Sequence, residues 1–376
     1  MHHVTLAQMA ITALMVALLP LSMVWISKDV SKYRKLVWVS VFLTFDLIVF
    51  GAFTRLTDSG LGCPDWPGCY GLANPFLAHE EIRAAESLMP SGPVTMFKAW
   101  VEMIHRYLAM GIGVLIVAMM AVAWLRWRDS RKGLGGYGAA FAPGYPTLLF
   151  FFICLQGAFG AWTVTLKLQP VIVTIHLLLG MGLLAMLAWF GGRQDQHVTP
   201  LPRSDAPATA VRRLRRLAAL SALVLLVQIA LGGWVSTNYA TLACTEFPLC
   251  QGKLVPEMDF EHGFHLWREL GKTAAGHYLP FSALTAIHWV HRNFAAVVVL
   301  VLGLTAAAAW RHAGLRGLAR GIVAVLLLQA LTGLATIYLN YPLAIAVLHN
   351  AGAALLVLLL TMLNYRAKFQ FDTALR

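Results

Sequence analysis

The sequence predicts an all-α polytopic membrane protein: two tandem four-helix bundles in parallel repeat, preceded by an additional N-terminal transmembrane helix. Three observations lead there. Of the 376 residues, 59% are hydrophobic and only 12% charged, far more apolar than a soluble domain of this length. Nine apolar runs recur, at 6–26, 36–53, 101–124, 145–166, 171–190, 217–235, 284–310, 321–339 and 343–363. Each is long enough to cross a hydrocarbon core about 30 Å thick at about 1.5 Å per residue. The second to fifth runs also match the sixth to ninth in register, which makes the chain a duplicated unit.

A net charge of +12 would suit nucleic acid if it were spread over one surface, but the basic residues are sorted by membrane side. Lys28, Lys32, Arg34 and Lys35 precede the second run, and Arg126, Arg128, Arg131 and Lys132 follow the third. Arg193, Arg203, Arg212, Arg213, Arg215 and Arg216 lie between the fifth and sixth. Arg311, Arg316 and Arg320 lie between the seventh and eighth, and Arg366, Lys368 and Arg376 close the chain. If the nine runs alternate, all five clusters share one face, the cytoplasmic one. The C-terminus is then cytoplasmic and the N-terminus periplasmic; lipid, not nucleic acid, is the surrounding partner.

The first run has two readings. An apolar stretch near Met1 is compatible with a cleaved export signal, yet it is long, lacks a positive n-region and is followed by the Lys28–Lys35 cluster, as a retained span would be. The expected division is therefore 1–35 for the extra helix and its loop, 36–190 for the first bundle, 191–216 for a cytoplasmic linker, 217–365 for the second bundle and 366–376 for a cytoplasmic tail.

The register of the repeat is carried by specific residues. Gly51 stands twelve residues before Cys63 and Gly232 twelve before Cys244, and in each half a second cysteine, Cys69 or Cys250, follows six residues later. These four cysteines fall in the two long outward loops. On the oxidising side that favours one disulfide per loop, Cys63–Cys69 and Cys244–Cys250, over a zinc site. The first pair, beside Pro64, Trp66, Pro67 and Gly68, is read either as a staple or as a redox-active pair near substrate. The outward segment 73–98 carries Glu80, Glu81 and Glu86 on a possible short surface helix.

Each half also contributes two histidines near the outward ends of its spans: His105 and His176 in the first, His291 and His349 in the second. Gln156 and Gln329 stand twenty residues before His176 and His349. Neutral imidazoles on facing helices suit the two axial positions of a porphyrin iron, so each bundle reads as a heme-sized site in the periplasmic half of the membrane. One residue breaks the symmetry. Glu102 lies one helical turn before His105, where the second half has His288. A carboxylate at that depth is expensive, so it either serves chemistry, as a substrate-orienting or proton-handling group, or pairs structurally with Arg106. Arg55, Arg106 and Arg292 have two readings as well: propionate binding and interfacial snorkelling.

These motifs resemble the heme A synthase family, which matures heme for aa3-type cytochrome oxidases. The resemblance rests on Gly51 to Cys69 with its Cys-Pro-Asp-Trp-Pro-Gly-Cys loop, on Glu102-x-x-His105-Arg106, on His176, and on His291-Arg292 and His349 in the repeat, and it covers roughly 36–365. It implies eight core spans, leaving 6–26 as an addition. It implies heme b held by His291 and His349, and heme O as substrate held by His105 and His176, with Glu102 in the active site. The implied reaction oxidises a methyl substituent of heme O to the formyl group of heme A, with oxygen derived from water and electrons passed to an unknown acceptor. Implied too are a bacterial inner-membrane location, heme O synthase and oxidase-assembly partners, and a possible homo-oligomer. Two other readings compete: a diheme b-type electron carrier, which two sites on one membrane side argue against, and a heme carrier without catalysis.

Overall fold

The computed structural model describes residues 2–132, 139–199 and 207–374. Of the expected linker, residues 200–206 with Arg203 lie outside the described residues, as does Arg376 of the tail. The described chain is helical: α1 His2–Ile26, α2 Lys32–Leu56, α3 His79–Leu88, α4 Met96–Arg131, α5 Gly144–Thr165, α6 Pro170–Val198, α7 Ala208–Thr237, α8 Phe260–Gly263, α9 Phe281–Trp310, α10 Arg316–Tyr338 and α11 Leu343–Ala374. Nine of these helices are long and apolar enough to cross a membrane, one for each apolar run. The chain is thus an all-α, largely membrane-spanning helical protein, in which pairing among the described residues is confined to isolated bridges such as Cys69 with Leu72 and Cys250 with Lys253.

Two of the helices outrun their apolar segments because a side-chain cap, rather than hydropathy, sets where they start. Ser31 accepts the Arg34 N–H at 3.2 Å and starts α2 four residues ahead of the first core leucine, Leu36. Thr95 accepts the Lys98 N–H at 3.2 Å and starts α4 five residues ahead of its apolar run at 101–124. The 36 residues of α4 span about 54 Å at about 1.5 Å each, so it projects beyond the hydrocarbon. Glu80, Glu81 and Glu86 do fall on a short helix, α3, which packs against α4.

The chain forms two compact units. One holds the chain through Lys167 together with α6 from Gly182 onward. In it α4 is central, packed by α1, α2 and α5. Gly111 of α4 makes room for α1: a Cβ there would lie 2.8 Å from Val16 Cγ1. Trp38 Nε1 donates to Asp195 at 3.0 Å and Tyr145 OH donates to the Met186 carbonyl at 2.9 Å, tying α2 and α5 to α6. A small core gathers Cys63, Cys69, Ala78, Ile82, Ala99 and Met103, and Met9 of α1 joins it.

The other unit holds Leu168–Met181 and α7 to α11. Here α7 packs on α9, α9 on α10, α10 on α11 and α11 back on α7. Buried hydroxyls are paired where these helices meet, as with Ser221 and Thr305 at 2.7 Å, which keeps polar atoms satisfied away from water. The start of α6 lies against α7 through Gly233, where a Cβ would come 3.0 Å from Leu177 Cδ2.

Matching positions in the two halves share unusual backbone. Tyr70 and Gly71 have φ of 52° and 72°, and Gln251 and Gly252 have 54° and 74°. Lys167 and Leu168 are matched in the same way by Asn340 and Tyr341. The glycines close the turn that follows the second cysteine of each loop, a conformation that costs other residues more.

Candidate active site

Both expected disulfides are formed, and their sulfurs are inaccessible. The first loop is locked to α4 through two residues one turn apart. The Cys63 N–H donates to Glu102 Oε2 at 2.8 Å, and Arg106 Nη2 donates to Glu102 Oε1 at 2.5 Å. Arg106 Nη1 then reaches three loop carbonyls, of Asp65 at 3.0 Å, Pro67 at 3.2 Å and Gly68 at 2.5 Å. Glu102 is 4% exposed and Arg106 9%, so this is a buried ion pair whose desolvation is offset by charge-assisted hydrogen bonds to the loop.

The second loop repeats the arrangement with one substitution. The Cys244 N–H donates to His288 Nδ1 at 3.2 Å, in place of a carboxylate. Arg292 Nη1 donates to the carbonyls of Glu246 at 2.7 Å and Leu249 at 3.0 Å, and its Nη2 donates to that of Pro248 at 3.2 Å. Arg106 and Arg292 therefore act as clamps on the cystine loops, a role that neither sequence reading anticipated. Arg55, at the end of α2, pairs with Asp58 at 3.1 Å.

The histidines face glycines. A Cβ at Gly51 of α2 would lie 2.9 Å from His105 Nε2, and a Cβ at Gly232 of α7 would lie 2.9 Å from His291 Cε1. Phe50 stacks on His105 with ring centroids 6.4 Å apart. In the second unit, His291 on α9 and His349 on α11 lie within electrostatic reach of each other. Gln228 and Gln329 donate to the carbonyls of His291 at 3.2 Å and His349 at 2.8 Å, holding the backbone that carries each ring. Thr332 Oγ1 sits 2.8 Å from His349 Nδ1 and also 2.8 Å from the Leu328 carbonyl. A hydroxyl has one proton; donated to that carbonyl, it leaves Oγ1 to accept from Nδ1–H and leaves Nε2 with its lone pair for a metal. His291 Nδ1 is buried without a partner.

Two imidazoles, an orphan ring nitrogen and glycine faces fit a flat group carrying iron, which brings its own equatorial ligands. Among the described residues no three or more His, Cys, Asp or Glu side chains gather to hold a bare ion. His176 lies on α6 within Leu168–Met181, in the other compact unit from His105. Sequence reasoning missed Thr332, Gln228, Phe50 and the carbonyl clamps. Of these only Gln228 had a signal, one turn before Gly232 on the glycine face.

The comparisons agree with one another. Residues 34–361 match the family model COX15-CtaA, described as "Cytochrome oxidase assembly protein". A heme A synthase of Shewanella oneidensis is 38% identical over 327 residues, covering 87% of this chain and 94% of that protein. Heme A synthases of Chelativorans sp. and Methylobacterium radiotolerans are each 30% identical, covering 89% of this chain and 92% and 89% of their own lengths. With 328 consecutive residues inside the family model and relatives matched nearly end to end, the chain belongs to the COX15-CtaA family of cytochrome oxidase assembly proteins.

Proposed function

We propose that this protein is a heme A synthase of a bacterial inner membrane, oxidising a methyl substituent of heme O to the formyl group of heme A. The observation that carries this reading is the 38% identity, over nearly the whole of both chains, to a relative named for that activity. It favours synthesis over a diheme electron carrier or a passive heme carrier.

The proposed architecture is two tandem four-helix bundles, 36–190 and 217–365, joined by the linker 191–216 and preceded by the extra helix of 1–35, with 366–376 as a tail. Shared backbone turns at matching positions and the Gly–His registers support it. The C-terminus is cytoplasmic and the N-terminus and both sites are periplasmic, a reading that the five basic clusters support.

His291 and His349 would hold heme b, which supplies a one-electron carrier when bound. Thr332 turns His349 toward that role, and Gly232 leaves space beside His291. The substrate heme O would be ligated by His105 and His176. Glu102, one turn from His105, is fixed by Arg106 and by the Cys63 N–H, and is the charged group of the first site. A preorganised carboxylate stabilises positive charge as electrons leave the methyl carbon and accepts protons released there. The Cys63–Cys69 loop is anchored on that carboxylate through the Cys63 N–H. Arg55, Arg106 and Arg292 stand at the outward ends of their spans, where propionates would project, although Arg106 and Arg292 first serve the loops. Heme O synthase and the oxidase-assembly machinery are the proposed partners, with self-association a further one.

The test is expression with a heme O supply, followed by chromatography of the bound pigments. A formyl-bearing heme is expected; heme O that stays unconverted would refute synthesis.

A further inference from the structure

The middle of α2 carries a carboxylate that faces out of the protein. Asp46 is exposed and lies eleven residues from Lys35 on the cytoplasmic side and nine from Arg55 on the outward side. At about 1.5 Å per residue these are roughly 16 Å and 14 Å, which puts Asp46 near the midplane, beyond the reach of a short side chain to either interface. Its carboxylate makes no hydrogen bond or ion pair among the described residues. One turn earlier, Phe42 is 63% exposed; between Lys32 and the end of α2 these two are the exposed positions, so they form one open face.

The repeat supplies a control within the same chain. Five residues before Gly51 is Asp46, and five before Gly232 is Val227; nine before each are Phe42 and Leu223. Val227 and Leu223 are also outward, at 38% and 58% exposed. The same face is thus apolar in one half and acidic in the other, so the scaffold does not need a carboxylate there. An ionisable group in hydrocarbon is kept where something binds it.

We propose that the Phe42–Asp46 face of α2 docks a transmembrane helix of a different protein, one that presents a Lys, Arg or His at mid-membrane depth. A second copy of this chain is a poor match. Its lysines and arginines sit near span ends, with Arg106 and Arg292 held there by loop carbonyls, and none of its span histidines, His105, His176, His288, His291 and His349, is exposed. Self-pairing through this face would bring two carboxylates together. The proposal rests on α2 alone and not on the heme chemistry.

The experiment places a photo-crosslinking phenylalanine analogue at Phe42 in the full-length protein in its native membranes, with the same probe at Leu223 as control. The expected result is an adduct from position 42, absent at 223, with another membrane protein. Peptide sequencing should map it to a span with Lys, Arg or His within one turn of the attachment point. Asp46→Val should reduce that adduct at least tenfold and Asp46→Glu restore it, with bound heme content unchanged in both. A self-adduct, adducts with lipid alone, a partner span without a basic residue, or an adduct indifferent to Asp46→Val would each overturn the proposal.

Discussion

Glu102 Oε2 accepts the backbone N–H of Cys63 at 2.8 Å, so the acidic residue that singles out the first half is also the anchor of its disulfide loop. The second half makes the same anchor with His288 and Cys244 at 3.2 Å. One position thus does a shared structural task in both halves and carries a negative charge in only one. That separates anchoring from chemistry.

Glu102→His transplants the second half's anchor into the first. Protein level and disulfide formation should stay near wild type, while conversion of heme O falls about 100-fold or more, the scale of a lost acid–base group. Pigment chromatography normalised to membrane protein measures it, and wild-type conversion would remove Glu102 from the chemistry.

Arg106→Ala strips the buried Glu102 of its counter-charge and frees three carbonyls of the first loop. Breaking a buried pair from one side costs about 3–5 kcal/mol. The variant should lose thermal stability and expose Cys63 and Cys69 to reductant and alkylating label, with Arg106→Lys recovering only part. Unchanged labelling would contradict the clamp.

Thr332→Val removes the hydroxyl beside His349 Nδ1 while keeping the volume. Loss of such a ligand-orienting partner lowers metal affinity by about 10- to 100-fold. Heme b should dissociate faster from the purified protein, as followed by its absorbance with a heme-scavenging acceptor. Wild-type retention would show that His349 needs no orienting group.

Gly232→Ala puts a methyl group 2.9 Å from His291 Cε1, against a side chain with little freedom to retreat. Overpacking of this kind costs about 1–3 kcal/mol, so most bound heme b should be lost while the protein still inserts. The control is Gly303→Ala on α9, where an added Cβ meets nothing within 4 Å.

The nine spans were legible because lipid demands long apolar runs, and the reading of a repeat rests on the spacing that Gly51 and Cys63 share with Gly232 and Cys244. The cystine pairings were legible because each pair shares one outward loop on the oxidising side. Helix ends were not legible, since caps such as Ser31 and Thr95 lie in polar segments that hydropathy does not weigh. The work of Arg106 and Arg292 was hidden for a different reason. Their acceptors on the loops are backbone carbonyls, which every residue carries and no side-chain pattern marks, whereas the pairing of Arg106 with Glu102 was readable from their spacing. Thr332 escaped because seventeen residues and a turn between helices separate it from the imidazole it orients.

Two porphyrins held separately is the claim on which the rest depends, and the pigment content of two variants tests it most directly. With heme O supplied, His291→Ala should lose heme b and keep the heme of the first site, while His105→Ala should lose bound heme O or heme A and keep heme b. Variants that insert normally but lose both pigments together, or neither, would contradict it.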